Sequence, residues 1–213
     1  KDAWRLDEKV GSRKKLGDVS FMRQAVEKMK AGMIWKPGEH VYLQLVTYSG
    51  HNPFVLPDKL KRIHLKGSYP QKMLDYMTMA NYTDHALGIL LRYLKSRPDW
   101  RETMVVIVGD HEGLAADRAD IRRSAVGRRV VPAGQYTPFI VLNSPVAMRY
   151  DGVLGQVDMY PTILNLMHLD NYYWRGMGQS LLDKRKKAVA VGSQMNVEGD
   201  IPHTSKVEIG RLT

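Results

Sequence analysis

A five-residue apolar run, Met104–Val108, leads directly into Gly109, Asp110 and His111, and this segment constrains the fold more than any other. A short apolar run bounded by turn residues is typical of a buried strand in a parallel sheet. In open α/β sheets, ligands bind just beyond the carboxyl ends of the strands. A carboxylate beside an imidazole at that position indicates a metal site with Asp110 and His111 as ligands. On spacing alone, a helix-capping Asp110 beside a packed His111 is an equal alternative.

Segments with strand and helix periodicity alternate along the chain, which predicts an α/β fold with a mainly parallel sheet flanked by helices. We expect Trp4–Gly17 to be a loop or a short helix, and residues 1–17 and 196–213 to be poorly defined ends. Asp110–Gly134 is a long, polar, Arg-rich connection, and long loops of this kind in compact domains are typically functional or disordered. The predicted strands cover Val41–Thr47, Met104–Val108, Thr137–Leu142 and Lys187–Val191, and the predicted helices cover Asp18–Met33, Gln71–Lys95 and the segment around Pro161–Met167.

Helical spacing also groups residues of each of the two longer helices on one stripe, and we expect the stripe of the first helix to lie in the core. The apolar stripe of the first helix comprises Met22, Val26, Met29 and Met33. The stripe of the second comprises Leu74, Met77, Asn81, Leu87, Leu91 and Leu94.

The chain is basic, with a net charge of +10 over 213 residues, and it contains no cysteine. The missing cysteine excludes disulfides, thiolate metal sites and a cysteine nucleophile. A basic surface attracts anionic lipid, nucleic acid or phosphorylated substrates. The sequence contains neither a G-x-G-x-x-G nor a Walker A loop, so nothing points to dinucleotide or ATP binding. No stretch approaches the roughly 18 consecutive apolar residues that span a bilayer.

His51 follows the predicted strand Val41–Thr47 in the same way that Asp110 and His111 follow theirs. If both strands lie in one sheet, these side chains share its carboxyl edge. That position makes His51 a candidate ligand or phosphate donor, although a single histidine is more often structural. An arginine cluster follows the Asp-His pair, where holding an anion and forming a solvated basic face are equal alternatives. The cluster comprises Arg118, Arg122, Arg123, Arg128 and Arg129.

Six segments, in order, resemble the lipoteichoic acid synthase and phosphoglycerol transferase branch of the sulfatase/alkaline phosphatase superfamily. The resemblance runs from about Val41 to Leu182. Each motif alone is weak, but six in the right order are specific. The segments are Thr47–Phe54, Asn81–Gly88, Val108–Gly113, Thr137–Val141, Gly155–Thr162 and Trp174–Leu182.

The resemblance implies an enzyme of the cell membrane whose extracytoplasmic catalytic domain follows membrane helices. It implies a divalent cation, Mn²⁺ or Mg²⁺ ahead of Zn²⁺ or Ca²⁺. By motif, Asp110 and His111 carry over as metal ligands and His51 as a donor to the bound phosphate, whereas Arg118 aligns with no family motif. The implied reaction uses a threonine that attacks an anionic, phosphatidylglycerol-like donor. The glycerophosphoryl group is then passed to an alcohol of a glycan or polymer acceptor.

In the family, an acidic metal ligand and the nucleophilic threonine lie upstream of the part that matches here. We therefore expect residues 1–213 to be the C-terminal portion of one catalytic domain, with half a metal site and no catalytic residue of its own. Such a fragment would be inactive alone. We also expect its sheet to lack one or more N-terminal strands, leaving an edge through which copies can self-associate.

Other functions remain open at this stage. A sulfatase or phosphodiesterase of the same superfamily would carry its nucleophile in the same upstream segment. A non-catalytic basic module that binds anionic polymer would explain the charge without chemistry, and a catalytically inactive relative would bind glycan or lipid. Nucleic acid is not expected as a partner, because the Arg-rich segment lacks interleaved aromatic residues.

Overall fold

The computed structural model describes residues 3–36, 38–191 and 197–199. The chain divides into two compact units. The first comprises Lys1–Thr103 with Ile107–Pro138, and the second comprises Met104–Val106 with Phe139–Thr213.

The strands are short and the helices vary widely in length. In chain order, the described strands are β1 (Lys9–Val10), β2 (Lys15–Leu16), β3 (Val105–Val108), β4 (Phe139–Leu142), β5 (Val189–Val191) and β6 (Val197–Gly199). The described α-helices are α1 (Asp18–Lys30), α2 (Gln71–Ser96), α3 (Arg118–Ile121), α4 (Ala125–Val130) and α5 (Met159–Leu166), and short 3₁₀ helices cover Asp58–Leu60, Trp100–Glu102 and Gln156–Asp158.

The described strands pair as three two-stranded sheets, β1 with β2, β3 with β4, and β5 with β6. The first and last pairs are antiparallel. The mixed helix and strand content agrees with the predicted α/β class, but these ladders are smaller than the single sheet expected from the sequence. The β1–β2 hairpin also replaces the loop or short helix predicted for Trp4–Gly17. Within the predicted C-terminal end, Val197–Gly199 forms β6, whereas residues 196 and 200–213 lie outside the described residues.

Helices α1 and α2 supply most of the buried side chains of the first unit. In α1, Met22, Ala25 and Met29 are buried. Met22 and Met29 belong to the predicted stripe, whereas Ala25 does not. The helix ends at Lys30, and Met33 lies beyond it with 51% of its surface exposed. The predicted extension to Met33 was therefore wrong. The hydrophobic core of this unit comprises Val10, Phe54, Leu56, Met73, Met79, Tyr82, Leu114, Ile121 and Val131.

The bounds of α2 agree with the prediction, but its buried residues are mostly not those that helical spacing grouped on one stripe. Pro70 immediately precedes the helix, and the backbone is extended again at Arg97, before Pro98. Of the predicted stripe, only Leu94 is buried. Since α2 is long and has apolar residues on several sides, spacing within the helix did not determine which side meets the rest of the fold. The buried residues are Met73, Met79, Tyr82, Ala86, Leu90 and Leu94.

The predicted strand Val41–Thr47 is not formed within the described residues. The segment runs without helix or strand structure, and Tyr42 and Val46 are 90% and 71% exposed. A strand needs a neighbour to complete its hydrogen-bond ladder, and no described strand pairs with this segment. By contrast, β3, β4 and β5 lie inside the predicted strands, and the long connection after β3 contains α3 and α4.

Candidate functional site

Gly109 joins β3 to the Asp110–His111 pair and packs closely against the chain just before β4. Its backbone N–H donates to the Pro138 carbonyl oxygen at 3.1 Å. A Cβ atom at Gly109 would lie 3.0 Å from Pro138 Cδ and from Thr137 Cβ, closer than ordinary van der Waals contact. A side chain at this junction would therefore crowd Thr137 and Pro138, which favours glycine at position 109.

The Asp110 carboxylate and the His111 imidazole lie side by side at the surface. Asp110 Oδ2 is 3.6 Å from His111 Nε2, and Asp110 Oδ1 accepts a hydrogen bond from the His111 backbone N–H at 2.9 Å. The two side chains are 88% and 68% exposed, respectively. No described helix begins at Asp110, since α3 starts only at Arg118, so the alternative of a capping aspartate beside a packed histidine was wrong.

This pair has the geometry of two ligands for one divalent cation. His111 Nδ1 lies 2.9 Å from the Glu112 carbonyl oxygen, which can only accept. We therefore assign the proton of the neutral ring to Nδ1, which leaves the Nε2 lone pair beside the carboxylate. Metal–ligand distances for imidazole nitrogen and carboxylate oxygen are about 2.0–2.2 Å, so one ion spans the gap. A carbonyl that fixes the ring through its second nitrogen is a common feature of histidine ligands.

Within the described ranges, no group of three or more His, Cys, Asp or Glu side chains is arranged to hold a metal. The described part of the chain therefore offers the two predicted ligands, Asp110 and His111, without a third beside them. Hard cations such as Mn²⁺ and Mg²⁺ prefer six ligands or nearly so, and two protein ligands hold them weakly. The assignment of Asp110 and His111 as metal ligands stays a prediction.

Arg118 is held in an ion pair with Glu112. Their side chains are only 18% and 14% exposed, and Arg118 Nη1 also lies 3.5 Å from the Ala133 carbonyl oxygen. Arg122 donates to the Val131 carbonyl oxygen, and Arg128 donates to the Arg122 carbonyl oxygen at 3.2 Å. These arginines thus stabilise the segments around α3 and α4 through hydrogen bonds to backbone carbonyl oxygens. A role for Arg118 in binding substrate stays a prediction, and it would require sharing the guanidinium with Glu112.

His51 lies in an exposed turn after the extended segment. Its Nδ1 is 2.6 Å from the Asn52 carbonyl oxygen, and its ring stacks on Tyr48 with centroids 5.7 Å apart. By the same reasoning as for His111, Nδ1 carries the proton of the neutral ring and Nε2 is left for a ligand. When the ring is protonated, Nε2 becomes a donor suited to a phosphate oxygen.

Lys72 links the His51 turn to the loop that follows Asp110. Its Nζ donates to Asn52 Oδ1 at 2.9 Å and lies 3.7 Å from Asp117 Oδ2. A Cβ atom at Gly113 would lie 3.6 Å from Phe54 Cζ, so the two loops also meet through apolar contact. The structure therefore links the His51 turn to the loop that contains Gly113 and Asp117, although Val41–Thr47 forms no strand within the described residues that could bring His51 to a shared sheet edge. Sequence reasoning missed Lys72, and no local signal distinguishes it from other helix-surface lysines.

Asp18 anchors the chain just before His51. It is 1% exposed, and its Oδ1 accepts hydrogen bonds from the backbone N–H groups of Tyr48 and Ser49 at 2.9 and 3.1 Å. Its Oδ2 accepts from the Thr83 hydroxyl at 3.0 Å. The sequence indicated a helix cap at this position, but Gly17 occupies the cap and Asp18 is the first helical residue. Its carboxylate holds a distant loop instead of the helix end.

In the second unit, the Gly155–Asp158 motif has a structural arrangement. The Asp158 carboxylate accepts from the backbone N–H groups of Gly155 and Gln179 at 3.0 and 2.7 Å. It also pairs with Lys186 at 2.9 Å, with both side chains 5% exposed. These contacts connect the turn before α5 to the segment around Gln179. Because they use the Asp158 carboxylate, this residue is not a candidate metal ligand.

Comparison with known proteins gives a consistent result. The sequence profile described as Sulfatase matches residues 8–169. Lipoteichoic acid synthases of Staphylococcus aureus strains USA300 and NCTC 8325 / PS 47 are each 28% identical to the chain over 152 residues. These alignments cover 67% of the chain and 23% of each relative, so the chain spans less than a quarter of their length.

A solved structure is also similar. The crystal structure of a protein in the alkaline phosphatase superfamily from Vibrio parahaemolyticus is 22% identical, with a TM-score of 0.49 over 74% of this chain and 35% of that chain. Among the residues that the structure describes, no helix combines the length and apolar character that a membrane crossing requires.

Proposed function

This chain belongs to the sulfatase family, and we propose that it is part of the catalytic domain of a metal-dependent phosphoglycerol transferase. The observation that carries the proposal is the Asp110–His111 pair, whose Oδ2 and Nε2 atoms lie 3.6 Å apart just after β3. The similarity to lipoteichoic acid synthase supports the choice of reaction. The proposed enzyme acts at the outer side of a cell membrane, on a phosphatidylglycerol-like donor and a glycan or polymer acceptor.

In this proposal, Asp110 and His111 hold a divalent cation, Mn²⁺ or Mg²⁺, through Oδ2 and Nε2. When bound, such an ion neutralises phosphoryl charge and lowers the pKa of an attacking hydroxyl. His51, held by Asn52 and by stacking on Tyr48, donates to an oxygen of the same phosphate. Lys72 keeps the His51 turn and the Asp117 loop together, so these groups converge on one substrate.

The nucleophile and the remaining metal ligands are proposed to come from the rest of the protein, since the chain spans 23% of its relatives' length. A threonine hydroxyl would attack the phosphorus of the donor, and the diacylglycerol oxygen would leave with the proton. The glycerophosphoryl group would then pass from threonine to the acceptor alcohol. A covalent intermediate divides one difficult transfer into two easier steps.

A hydrolase of the same family is the second candidate, favoured by the Sulfatase description of the matching profile. It would use the same metal ligands but transfer the group to water. The two candidates differ in the acceptor, so product analysis separates them. A non-catalytic module that binds anionic polymer would show neither reaction.

The test uses the full protein that contains this chain, reconstituted in vesicles with labelled phosphatidylglycerol and Mn²⁺. We expect glycerophosphoryl transfer with release of diacylglycerol, and a loss of at least about 100-fold in kcat for Asp110→Asn and His111→Gln. The controls are Asp120→Asn and His64→Gln, which remove the same groups from exposed positions. Both controls should keep full activity.

Three results would contradict the proposal. Full activity of both site variants would remove Asp110 and His111 from the mechanism. Release of glycerophosphate or sulfate to water, without transfer, would favour the hydrolase. Tight binding of anionic polymer, with no turnover in the presence of any divalent metal, would favour the binding module.

Light scattering on the 213-residue chain tests the proposed self-association, which a monodisperse monomer would exclude.

A further inference from the structure

A cleft of about 390 Å³ opens between the start of α1, the middle of α2 and the segment around the 3₁₀ helix Asp58–Leu60. We propose that this cleft binds a phosphate-type dianion, either inorganic phosphate or the head of a phosphomonoester, at Lys59, Lys61 and Arg62. The inference goes beyond the proposed transferase function and does not depend on it. Its lining residues are Glu8, Val19, Lys59, Leu60, Lys61, Arg62, Tyr82 and His85.

The charge of the lining favours an anion. Three cationic side chains face the cleft against one carboxylate, Glu8. Lys61 pairs with Asp58 at 2.6 Å, whereas Lys59 and Arg62 form no ion pair within the described part of the chain. Lys59 and Arg62 together therefore match the charge of a dianion better than that of a carboxylate.

The carboxylate of Glu8 is held in place by two donors on Oε1, and its charge offsets only one of the three cations of the lining. It accepts from the Tyr82 hydroxyl and from the Ser20 backbone N–H, the latter at 3.3 Å. Burial raises the pKa of Tyr82, so the phenol keeps its proton and remains a donor to Glu8. The Tyr82 oxygen also accepts from the Val19 backbone N–H at 3.2 Å. This network fixes the floor of the cleft, and the cations form its rim.

The donor chemistry of the lining favours a phosphate-type anion. A volume of about 390 Å³ falls at the lower end of ligand pockets, which are typically about 300–1,000 Å³. The guanidinium of Arg62 matches two phosphate oxygens through parallel hydrogen bonds, and lysine ammonium groups supply point charges beside them. In this proposal, the phosphate group lies at the cationic rim, and an ester substituent extends toward Glu8 and Tyr82.

His85 provides an independent readout of occupancy. Burial lowers the pKa of this imidazole, and the positive charges of Arg62 and Arg92 lower it further, while Asp84 and Glu8 oppose the shift. The ring is therefore neutral near pH 7 in the free protein. A dianion placed beside Arg62 would offset that positive charge and raise the pKa of His85, so binding and protonation favour each other.

The experiment titrates the 213-residue chain with inorganic phosphate, ethyl phosphate and sulfate at constant ionic strength, by calorimetry and by the His85 ring resonances. We expect saturable binding, weakened about tenfold in Lys59→Gln and in Arg62→Gln. Lys66→Gln removes the same charge from an exposed position of the same segment, outside the cleft lining, and should bind as the parent does. Tighter binding of ethyl phosphate assigns the site to phosphomonoesters, and tighter binding of phosphate assigns it to the free ion.

The pH arm uses sulfate, which stays a dianion throughout. We expect sulfate to bind more tightly as the pH falls through the His85 titration, and His85→Gln to remove that dependence. Circular dichroism of each variant verifies that it is folded. Equal weakening by Lys59→Gln, Arg62→Gln and Lys66→Gln would mean attraction by net charge alone and would overturn the proposal. So would an absence of saturable binding in the millimolar range.

Discussion

Asp18 and Ser49 hydrogen-bond each other in both directions. The Asp18 backbone N–H donates to Ser49 Oγ at 3.0 Å, and the Ser49 backbone N–H donates to Asp18 Oδ1 at 3.1 Å. Both residues are 1% exposed, so water does not compete for these groups. The first turn of α1 thereby holds the segment that leads into the His51 turn, a connection across 31 residues of sequence.

Replacing Asp18 by alanine should destabilise the protein and loosen the His51 turn. The change leaves the N–H groups of Tyr48 and Ser49 and the Thr83 hydroxyl without their acceptor. We expect a loss of about 3 kcal/mol in the free energy of unfolding, measured with urea. Amide exchange should accelerate at Tyr48 and Ser49.

The matched control for that change is Asp120→Ala, because Asp120 forms a 3.4 Å pair with Arg123 in which both side chains are largely exposed. An exposed pair of this kind contributes little to stability. Equal losses in both variants would show that Asp18 has no special anchoring role.

Adding a methyl group at Gly109 should be costly. The new Cβ atom would press on Thr137 and Pro138 at 3.0 Å, so the chain must shift where it leaves β3. We expect Gly109→Ala to lower the free energy of unfolding by about 1–3 kcal/mol. If the shift also displaces Asp110 and His111, the proposed transferase activity of the full protein should fall as well.

Gly50→Ala tests whether the Gly109 effect arises from crowding or from glycine replacement in general. A Cβ atom at Gly50 would meet nothing within 4 Å, and the backbone there does not need a positive φ. The free energy of unfolding of the Gly50→Ala protein should differ from that of the parent by no more than about 0.5 kcal/mol. A Gly109→Ala protein as stable as Gly50→Ala would contradict the close approach.

Breaking the buried pair of Asp158 and Lys186 should destabilise the second unit. Lys186→Met leaves the Asp158 carboxylate 5% exposed with no cation beside it. Removal of one partner from a buried pair typically costs about 3–5 kcal/mol, measured by chemical denaturation. Arg149→Met is the control, because its pair with Asp151 is exposed on both sides and contributes little. Similar stability of the two variants would refute the structural role of Lys186.

His85 should make the protein less stable in mild acid. Burial lowers the pKa of its imidazole in the folded state, so the unfolded chain binds a proton at higher pH than the native one does. The stability contribution is therefore fully present above the unfolded pKa of about 6.5 and is lost as the pH falls through the folded value. Unfolding measured across this range should show a shallower pH dependence for His85→Gln than for the exposed control His40→Gln. An identical pH dependence of unfolding in the two variants would contradict the lowered pKa of His85.

Local signals identified several elements correctly. Met104–Val108 followed by glycine predicted β3, and the prolines at positions 70 and 98 bracketed α2. These signals succeed because proline and glycine act on the backbone of their own neighbourhood, whatever the rest of the chain does.

Predictions that needed a partner elsewhere in the chain were less successful. Val41–Thr47 has the composition of a strand, but no described strand pairs with it, and its side chains are mostly exposed. Of the six residues that helical spacing grouped on one stripe of α2, only Leu94 is fully buried, because contacts with other elements determine which side is covered. Strand pairing and helix orientation both depend on residues far away in sequence.

The sequence by itself determined the α/β character, the strand that leads into Asp110 and His111, and, through its ordered motifs, the sulfatase family. Those features follow from local backbone preferences and from residue patterns. Only the tertiary structure decided that Asp18 holds the His51 turn, that Lys72 joins this turn to the loop after Asp110, and that Arg118 is committed to Glu112. Each of these contacts stabilises a group whose partner lies many residues away or around a turn, so distance in space, not spacing along the chain, selects it.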